Sequence, residues 1–125
     1  MVDVLVVEDH DMLRATMVQV LTDGGFALRE AADGKAALAQ IAEQAPDVVF
    51  LDLALPGMSG QDILKEIKGN PETAGIKVIV VTGQGEEGKR GVLELGADAY
   101  FRKPYSPFGL VQAVEQVTRE RPSYD

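Results

Sequence analysis

Residues 48–52 read Val-Val-Phe-Leu-Asp, four apolar residues followed by a carboxylate. A short continuous run of β-branched and aliphatic residues is typical of a strand that is buried on both faces of a parallel sheet. Residues 2–7 and 77–82 have the same character, and residues 27–31 and 99–102 are weaker candidates framed by turn-forming residues. The sequence therefore predicts five strands.

Helical patterns separate these strands. Apolar residues recur at helical spacing in three of the intervening stretches, at Leu13, Met17, Val20 and Leu21, at Leu38, Ile41 and Ala42, and at Ile63, Leu64 and Ile67. After the fifth strand, Ser106 suits an N-cap and Pro107 suits the first position of a last helix. The alternation predicts an α/β fold, a single five-stranded parallel sheet doubly wound as (βα)5, with the flavodoxin-like strand order 2-1-3-4-5.

Length and composition are those of one globular domain. The chain has 125 residues, of which 46% are hydrophobic and 26% charged, and we expect one domain over 1–125 with a core at about 2–120. With no cysteine, disulfide and thiolate chemistry are excluded. No stretch has the pattern of a signal peptide or a membrane span, so a cytoplasmic protein is expected. The net charge of -8 argues against direct nucleic-acid binding and favours a protein partner.

Acidic residues follow two strands that this topology makes neighbours. Ligands bind at the carboxyl ends of the strands in such a sheet. The first strand ends at Glu8-Asp9 and the third at Asp52, so three carboxylates should converge there. They would repel one another unless a cation neutralises them or a pKa rises. Magnesium suits such an oxygen site, and manganese would also fit.

Two further strand ends carry groups that can hold a phosphoryl oxygen. The fourth strand ends at Thr82, a hydroxyl donor, and Lys103 follows the fifth strand just before Pro104. With the carboxylates, these residues describe a phosphoryl-transfer site.

In Glu8-Asp9, Asp52, Thr82 and Lys103-Pro104 the chain resembles the receiver domains of response regulators, chemotaxis-protein-like modules of two-component signalling. The resemblance covers essentially the whole chain. It implies a phosphorelay or two-component switch in which Asp52 takes a phosphoryl group from a sensor histidine kinase or a histidine phosphotransfer protein, forming an aspartyl phosphate. It also implies no turnover substrate beyond self-phosphorylation and autodephosphorylation at Asp52.

The resemblance also assigns roles around the metal. Asp9 and Asp52 would bind Mg²⁺ directly, Glu8 would help through water, and the backbone carbonyl of Ala54 would complete the protein ligands.

Further implied roles concern the phosphoryl group and the signal. Thr82 and Lys103 would hold the phosphoryl oxygens, and the Lys103-Pro104 peptide bond would be cis. Tyr100 would turn inward as Thr82 moves toward the phosphoryl group. The downstream protein target would dock on the fourth helix, fifth strand and fifth helix.

Taken singly, these residues have plainer interpretations. Glu8 and Asp9 could form a solvated turn with an N-cap, Asp52 could be a loop carboxylate, Lys103 a surface lysine, and Tyr100 a residue packed on a strand end. The alternative function is a receiver-like protein-interaction module that acts without phosphorylation. That alternative predicts an incomplete acidic site.

Three other features are assigned no role in the chemistry. His10 is expected at the rim of the site and Arg14 on a solvated helix face. Residues 83–89 read G-x-x-x-x-G-K, but Arg90 stands where a nucleotide-binding loop needs Ser or Thr.

Ala54 stands where aspartyl phosphohydrolases carry a second Asp as general acid, which argues against that class of enzyme.

Glycines near the site set this chain apart from the resembled family. Gly83 follows Thr82, where the family usually has Ala or Ser, and with Ala54 it is expected to leave the acyl phosphate open to water. Gly85, Gly88 and Gly91 each disfavour helix, so the fourth helix should be short, late to start or mobile, and should shift readily on phosphorylation.

Overall fold

The computed structural model describes residues 1–83, 86–103 and 106–119. In those ranges five strands alternate with five helices. They are β1 (Asp3–Val7), α1 (Asp11–Asp23), β2 (Ala27–Ala31), α2 (Gly34–Glu43), β3 (Val48–Asp52), α3 (Gly60–Gly69), β4 (Lys77–Thr82), α4 (Glu86–Glu94), β5 (Ala99–Arg102) and α5 (Pro107–Thr118). Every predicted strand is present, and the first begins at Asp3 rather than Val2. None of the helices in these ranges is long and apolar enough to cross a membrane.

The strands form one parallel sheet in the order β2-β1-β3-β4-β5, which confirms the predicted fold. In register, Val7 pairs with Ala31 on one side and Leu51 on the other. Thr82 pairs with Arg102 at the end of the β4 and β5 ladder. The ends of β1 and β3 are therefore neighbours, with the end of β4 beside that of β3.

Helices cover both faces of the sheet, because successive side chains of a strand point to opposite faces. Phe50 faces α1 and α5, whereas Leu51 faces α2, α3 and α4. The first cluster contains Val4, Val6, Met17, Leu21, Val48, Phe50, Ile79, Val81, Leu110, Ala113, Val114 and Val117. The second contains Leu5, Val7, Ala31, Ala37, Ile41, Val49, Leu51, Leu53, Leu55, Ile63, Leu64, Ile67, Ile76, Val78, Val80 and Val92. The sheet is thus buried between two separate apolar layers.

The loop from β3 to α3 is packed tightly at Gly60. The Gly60 N–H donates to the carbonyl of Leu53 at 3.2 Å. A Cβ at position 60 would lie 2.5 Å from Leu53 Cα and 2.7 Å from the carbonyl oxygen of Asp52. Only glycine fits this approach, which fixes the backbone directly after Asp52.

Lys68 ties together several segments at the opposite end of the sheet. Its Nζ donates to the carbonyls of Ala74 and Ile76 at 3.1 and 2.7 Å, and to Asp98 Oδ2 at 3.0 Å. The same Asp98 oxygen accepts from the Val78 N–H at 2.8 Å. Lys68 therefore joins the end of α3 to the starts of β4 and β5.

α4 has nine residues, one fewer than α2 and α3, so the influence of its glycines stays a prediction. Because it begins at Glu86, part of the G-x-x-x-x-G-K stretch is helical. Ser106 occupies the N-cap position of α5 and Pro107 is its first helical residue, as predicted, although the Ser106 side chain makes no capping hydrogen bond.

Candidate functional site

The predicted site residues from β1 and β3 meet at the carboxyl end of the sheet. Glu8, Asp9 and Asp52 each place a carboxylate oxygen within 4.8 Å of the others. Glu8 is 2% exposed and Asp52 4%, whereas Asp9 is exposed. The interpretations of Glu8 as part of a solvated turn and of Asp52 as an ordinary loop carboxylate are therefore wrong.

Both oxygens of Asp52 have hydrogen-bond donors. The Ala54 N–H donates to Oδ1 at 3.0 Å, and Lys103 Nζ donates to Oδ2 at 3.2 Å. Lys103 Nζ also lies 3.6 Å from Glu8 Oε1. Lys103 therefore contacts the acidic cluster and is not an ordinary surface lysine.

Backbone pairing places the Lys103 side chain. The Lys103 N–H donates to the carbonyl of Thr82 at 2.8 Å, which extends the β4 and β5 pairing by one residue. Thr82 itself is 2% exposed at the end of β4. The threonine and the lysine therefore lie side by side next to Asp52, as the strand order requires.

Burial changes the acidity of Glu8. The pKa of its carboxyl group rises from 4.5 to about 7, chiefly because the group is removed from water and also because Asp52 is near. The His10 N–H, which donates to Glu8 Oε2 at 3.1 Å, and the Lys103 ammonium oppose that rise in pKa. The fold thus holds a carboxyl group where its charge is costly without a further cation.

The donor set fits a divalent metal ion. Three carboxylates and one ammonium leave an excess of two negative charges when all are ionised. Mg²⁺ prefers oxygen ligands and keeps several waters, and Asp9 is open to solvent. A divalent ion would balance these two negative charges, so the cluster could hold Mg²⁺ or Mn²⁺.

Tyr100 is half-buried on β5 and packs against the apolar layer that contains α2, α3 and α4. This position agrees with a residue packed on a strand, and its role as a switch stays a prediction. The Lys103-Pro104 bond, predicted to be cis, lies outside the described residues.

Of the two residues to which no chemistry was assigned, His10 is exposed beside the site as expected, whereas Arg14 differs from its predicted position. His10, and not Asp9, is the N-cap of α1, since its Nδ1 accepts from the Leu13 N–H at 3.2 Å. Arg14, predicted on a solvated helix face, is only 17% exposed in its side chain and donates to the backbone carbonyl of Glu8 at 2.8 Å. The sequence feature that could have indicated a partner for Arg14 is Glu30, an acidic residue near the end of β2, the strand next to β1.

Comparison with known proteins identifies the family. The response regulator receiver domain matches residues 4–115, nearly the whole chain. The chain therefore belongs to the response regulator receiver domain family, signalling modules of two-component systems rather than classical enzymes.

Relatives include the sensory transduction protein RegX3 of Mycobacterium tuberculosis, which is 41% identical over 120 residues, 95% of this chain and 52% of that protein. The phosphate regulon transcriptional regulatory protein PhoB of Escherichia coli is 42% identical over 117 residues, 93% of this chain and 51% of that protein. The chain thus spans about half the length of these curated relatives.

Solved structures of the same fold support this assignment. A putative response regulator from Chloroflexus aurantiacus has a TM-score of 0.87 at 34% identity, over 92% of this chain and 95% of that one. A CheY-like receiver domain protein from Methanospirillum hungatei has a TM-score of 0.89 at 29% identity, over 96% and 95%.

Proposed function

We propose that Asp52 accepts a phosphoryl group from a phosphohistidine of a sensor histidine kinase or a histidine phosphotransfer protein. The observation that carries this proposal is the setting of the Asp52 carboxylate, which is buried, held at both oxygens, and joined to Glu8 and Asp9 in one acidic cluster. A carboxylate held in one orientation is prepared for in-line attack on phosphorus.

The transfer is a displacement at phosphorus. A carboxylate oxygen of Asp52 forms the new O–P bond as the P–N bond to the donor imidazole breaks, and the imidazole nitrogen keeps the electron pair and takes up a proton. Hydrolysis later adds water to the phosphorus, which releases inorganic phosphate and restores the carboxylate. No other substrate is turned over.

Asp9, Asp52 and the carbonyl of Ala54 would hold the metal ion, with Glu8 assisting through water. When bound, Mg²⁺ would neutralise charge on the phosphoryl oxygens. The chain's own groups position the acceptor: the backbone N–H of Ala54 donates to one oxygen of Asp52, and the Lys103 ammonium lies 3.2 Å from the other.

Phosphorylation would change the groups around Thr82 and Lys103. Lys103 is paired with Asp52 before transfer and would pair with a phosphoryl oxygen afterwards, while Thr82 would bind another. Tyr100 would follow by turning further into the apolar layer, altering the surface of α4, β5 and α5 where a downstream protein docks. Moving such a two-state equilibrium almost completely requires about 5.5 kcal/mol, which a few charge-assisted contacts can supply.

A labelling experiment tests the proposal. Incubation with a small phosphodonor and Mg²⁺ should give an acid-stable, base-labile adduct with the mass of one phosphoryl group. Asp52→Asn should abolish it, whereas Asp62→Asn, at an exposed carboxylate in the first turn of α3, should label as wild type. Labelling that persists in Asp52→Asn would refute the proposal and favour an interaction module that acts without phosphorylation.

A further inference from the structure

Arg14 connects three segments around the start of the acidic site. Its Nη1 donates to the backbone carbonyl of Glu8 at 2.8 Å, its Nε to Glu30 Oε1 at 2.9 Å, and its Nη2 to Asp11 Oδ1 at 2.8 Å. Each contact is a charge-assisted hydrogen bond, and the planar guanidinium fixes their relative directions. The side chain is 17% exposed, so it lies against the protein surface and not in free solvent.

The contact with Glu8 lies at the point where backbone pairing of β1 with its neighbouring strands ends. Glu8 is the first residue beyond β1, and its N–H still donates to the carbonyl of Ala31 at 3.1 Å. Its carbonyl accepts from Arg14 instead, just before the chain turns into α1. Asp9 is the next residue, and it is exposed, so its location depends on the backbone on either side.

We propose that Arg14 is a positioning residue: by holding the Glu8 carbonyl against α1 and the end of β2, it sets the place of the Asp9 carboxylate relative to Asp52. One expected effect, on the affinity for the metal ion, rests on the proposed function. The other does not: in the metal-free protein, removal of the guanidinium should make the backbone at residues 8–10 less ordered.

The chain offers a matched control in Arg29. Its Nη2 donates to Asp3 Oδ2 at 2.9 Å and to the carbonyl of Gln44 at 3.0 Å, so it also joins a carboxylate and a backbone carbonyl. Its side chain is 26% exposed, but its contacts lie at the amino end of the sheet. Arg14→Met and Arg29→Met each keep the aliphatic stem and lose the donors.

The first experiment follows amide hydrogen exchange by NMR in the presence of a chelator. In Arg14→Met the amides of Glu8 and His10 should exchange about tenfold faster than in wild type, relative to amides of β3 in the same protein. Arg29→Met should leave that ratio unchanged. An unchanged ratio in Arg14→Met, or an equal rise in Arg29→Met, would overturn the inference.

The second experiment titrates Mg²⁺ against the same proteins and follows the Asp9 and Asp52 amide signals. Arg14→Met should bind Mg²⁺ about tenfold more weakly, as for residues that orient metal ligands, and Arg14→Lys should recover only part of the loss because an ammonium lacks the guanidinium geometry. Full recovery by lysine would show that charge alone acts and would overturn the positioning role. Failure of the wild type to bind Mg²⁺ would refute the proposed function, and the exchange ratio would still decide the inference.

Discussion

The Glu8 carboxyl group links folding stability to pH. Its pKa is about 7 in the folded protein against 4.5 ordinarily, so the folded state binds the proton more tightly than the unfolded state does. The stability that this proton supplies is fully present below pH 4.5 and is lost as the pH rises through about 7. At about 1.4 kcal/mol for each pH unit, the loss amounts to about 3 kcal/mol.

We therefore expect Glu8→Gln to raise the free energy of unfolding at pH 8, with a chelator present, because the variant has no buried charge at this position. The advantage over wild type should shrink as the pH falls and vanish near pH 4.5. Denaturant unfolding at a series of pH values measures it. Glu66→Gln, at an exposed position of α3, is the control and should track wild type. A gain in Glu8→Gln that does not change with pH would contradict the expectation.

Gly83 bears on the lifetime of the proposed acyl phosphate. It is exposed, and a Cβ built there meets no atom of the described residues within 4 Å. A methyl group should fit beside Thr82 and restrict the approach of water, so Gly83→Ala should dephosphorylate more slowly than wild type. Loss of the phosphoryl adduct with time measures this. Equal rates in the two proteins would remove the hypothesis.

Among the elements, α3 depends on the contact of its first residue with the end of β3. Gly60→Ala would place a methyl group 2.5 Å from Leu53 Cα, so we expect a loss of about 1 to 3 kcal/mol in stability, as for overpacked sites. It should also slow phosphorylation, because the carbonyl of Asp52 would be displaced.

Gly69→Ala is the control for that substitution. It lies in the same helix, and a Cβ there meets nothing within 4 Å among the described residues. It should be neutral or stabilising by up to about 1 kcal/mol. Thermal or denaturant unfolding compares the two variants, and equal stabilities would show that the close approach at Gly60 can be relaxed.

α4 is expected to be the least stable helix of its layer. It has nine residues with Gly88 and Gly91 among them, and between residues 90 and 94 only Val92 has a buried side chain. We predict faster amide exchange in 86–95 than in α3, and slower exchange there in Gly91→Ala, where a Cβ meets nothing within 4 Å. Protection of this segment equal to that of the sheet would contradict the expected mobility.

The strands were predictable from sequence because short, continuous apolar runs bounded by turn-forming residues are typical of buried strands. Convergence of Glu8, Asp9 and Asp52 followed from strand order alone, since parallel strands end at one edge. The contacts of Arg14 could not be predicted, because hydrophobic periodicity indicates which face of a helix a residue occupies but not which groups a long side chain reaches. The buried state of Glu8 depended on tertiary packing, which a local turn pattern does not contain.

For the whole molecule, Lys68 is expected to matter for stability and not for chemistry. Lys68→Met would leave the carbonyls of Ala74 and Ile76 and the Asp98 carboxylate without their shared donor, at a cost of about 2 to 4 kcal/mol. Lys65→Met, at an exposed position of the same helix, should cost less than about 0.5 kcal/mol. Denaturant midpoints measure both.

The rate of phosphorylation at Asp52 should be the same in Lys68→Met as in wild type, provided that it is measured without denaturant, where the variant is folded. The contacts of Lys68 lie at the other end of the sheet from Asp52. A slower rate of labelling in this variant would show that the amino end of β4 communicates with the site.

The division of the interior into two apolar layers has an evolutionary consequence. Side chains of the layer with α1 and α5 are separated by the sheet from those of the layer with α2, α3 and α4, and substitutions that share no contacts have nearly additive effects on stability. Descendants of one ancestral gene can therefore change the side chains of one apolar layer while those of the other layer change independently. Recombination of faces between paralogues should yield folded hybrids more often than exchange of sequential halves.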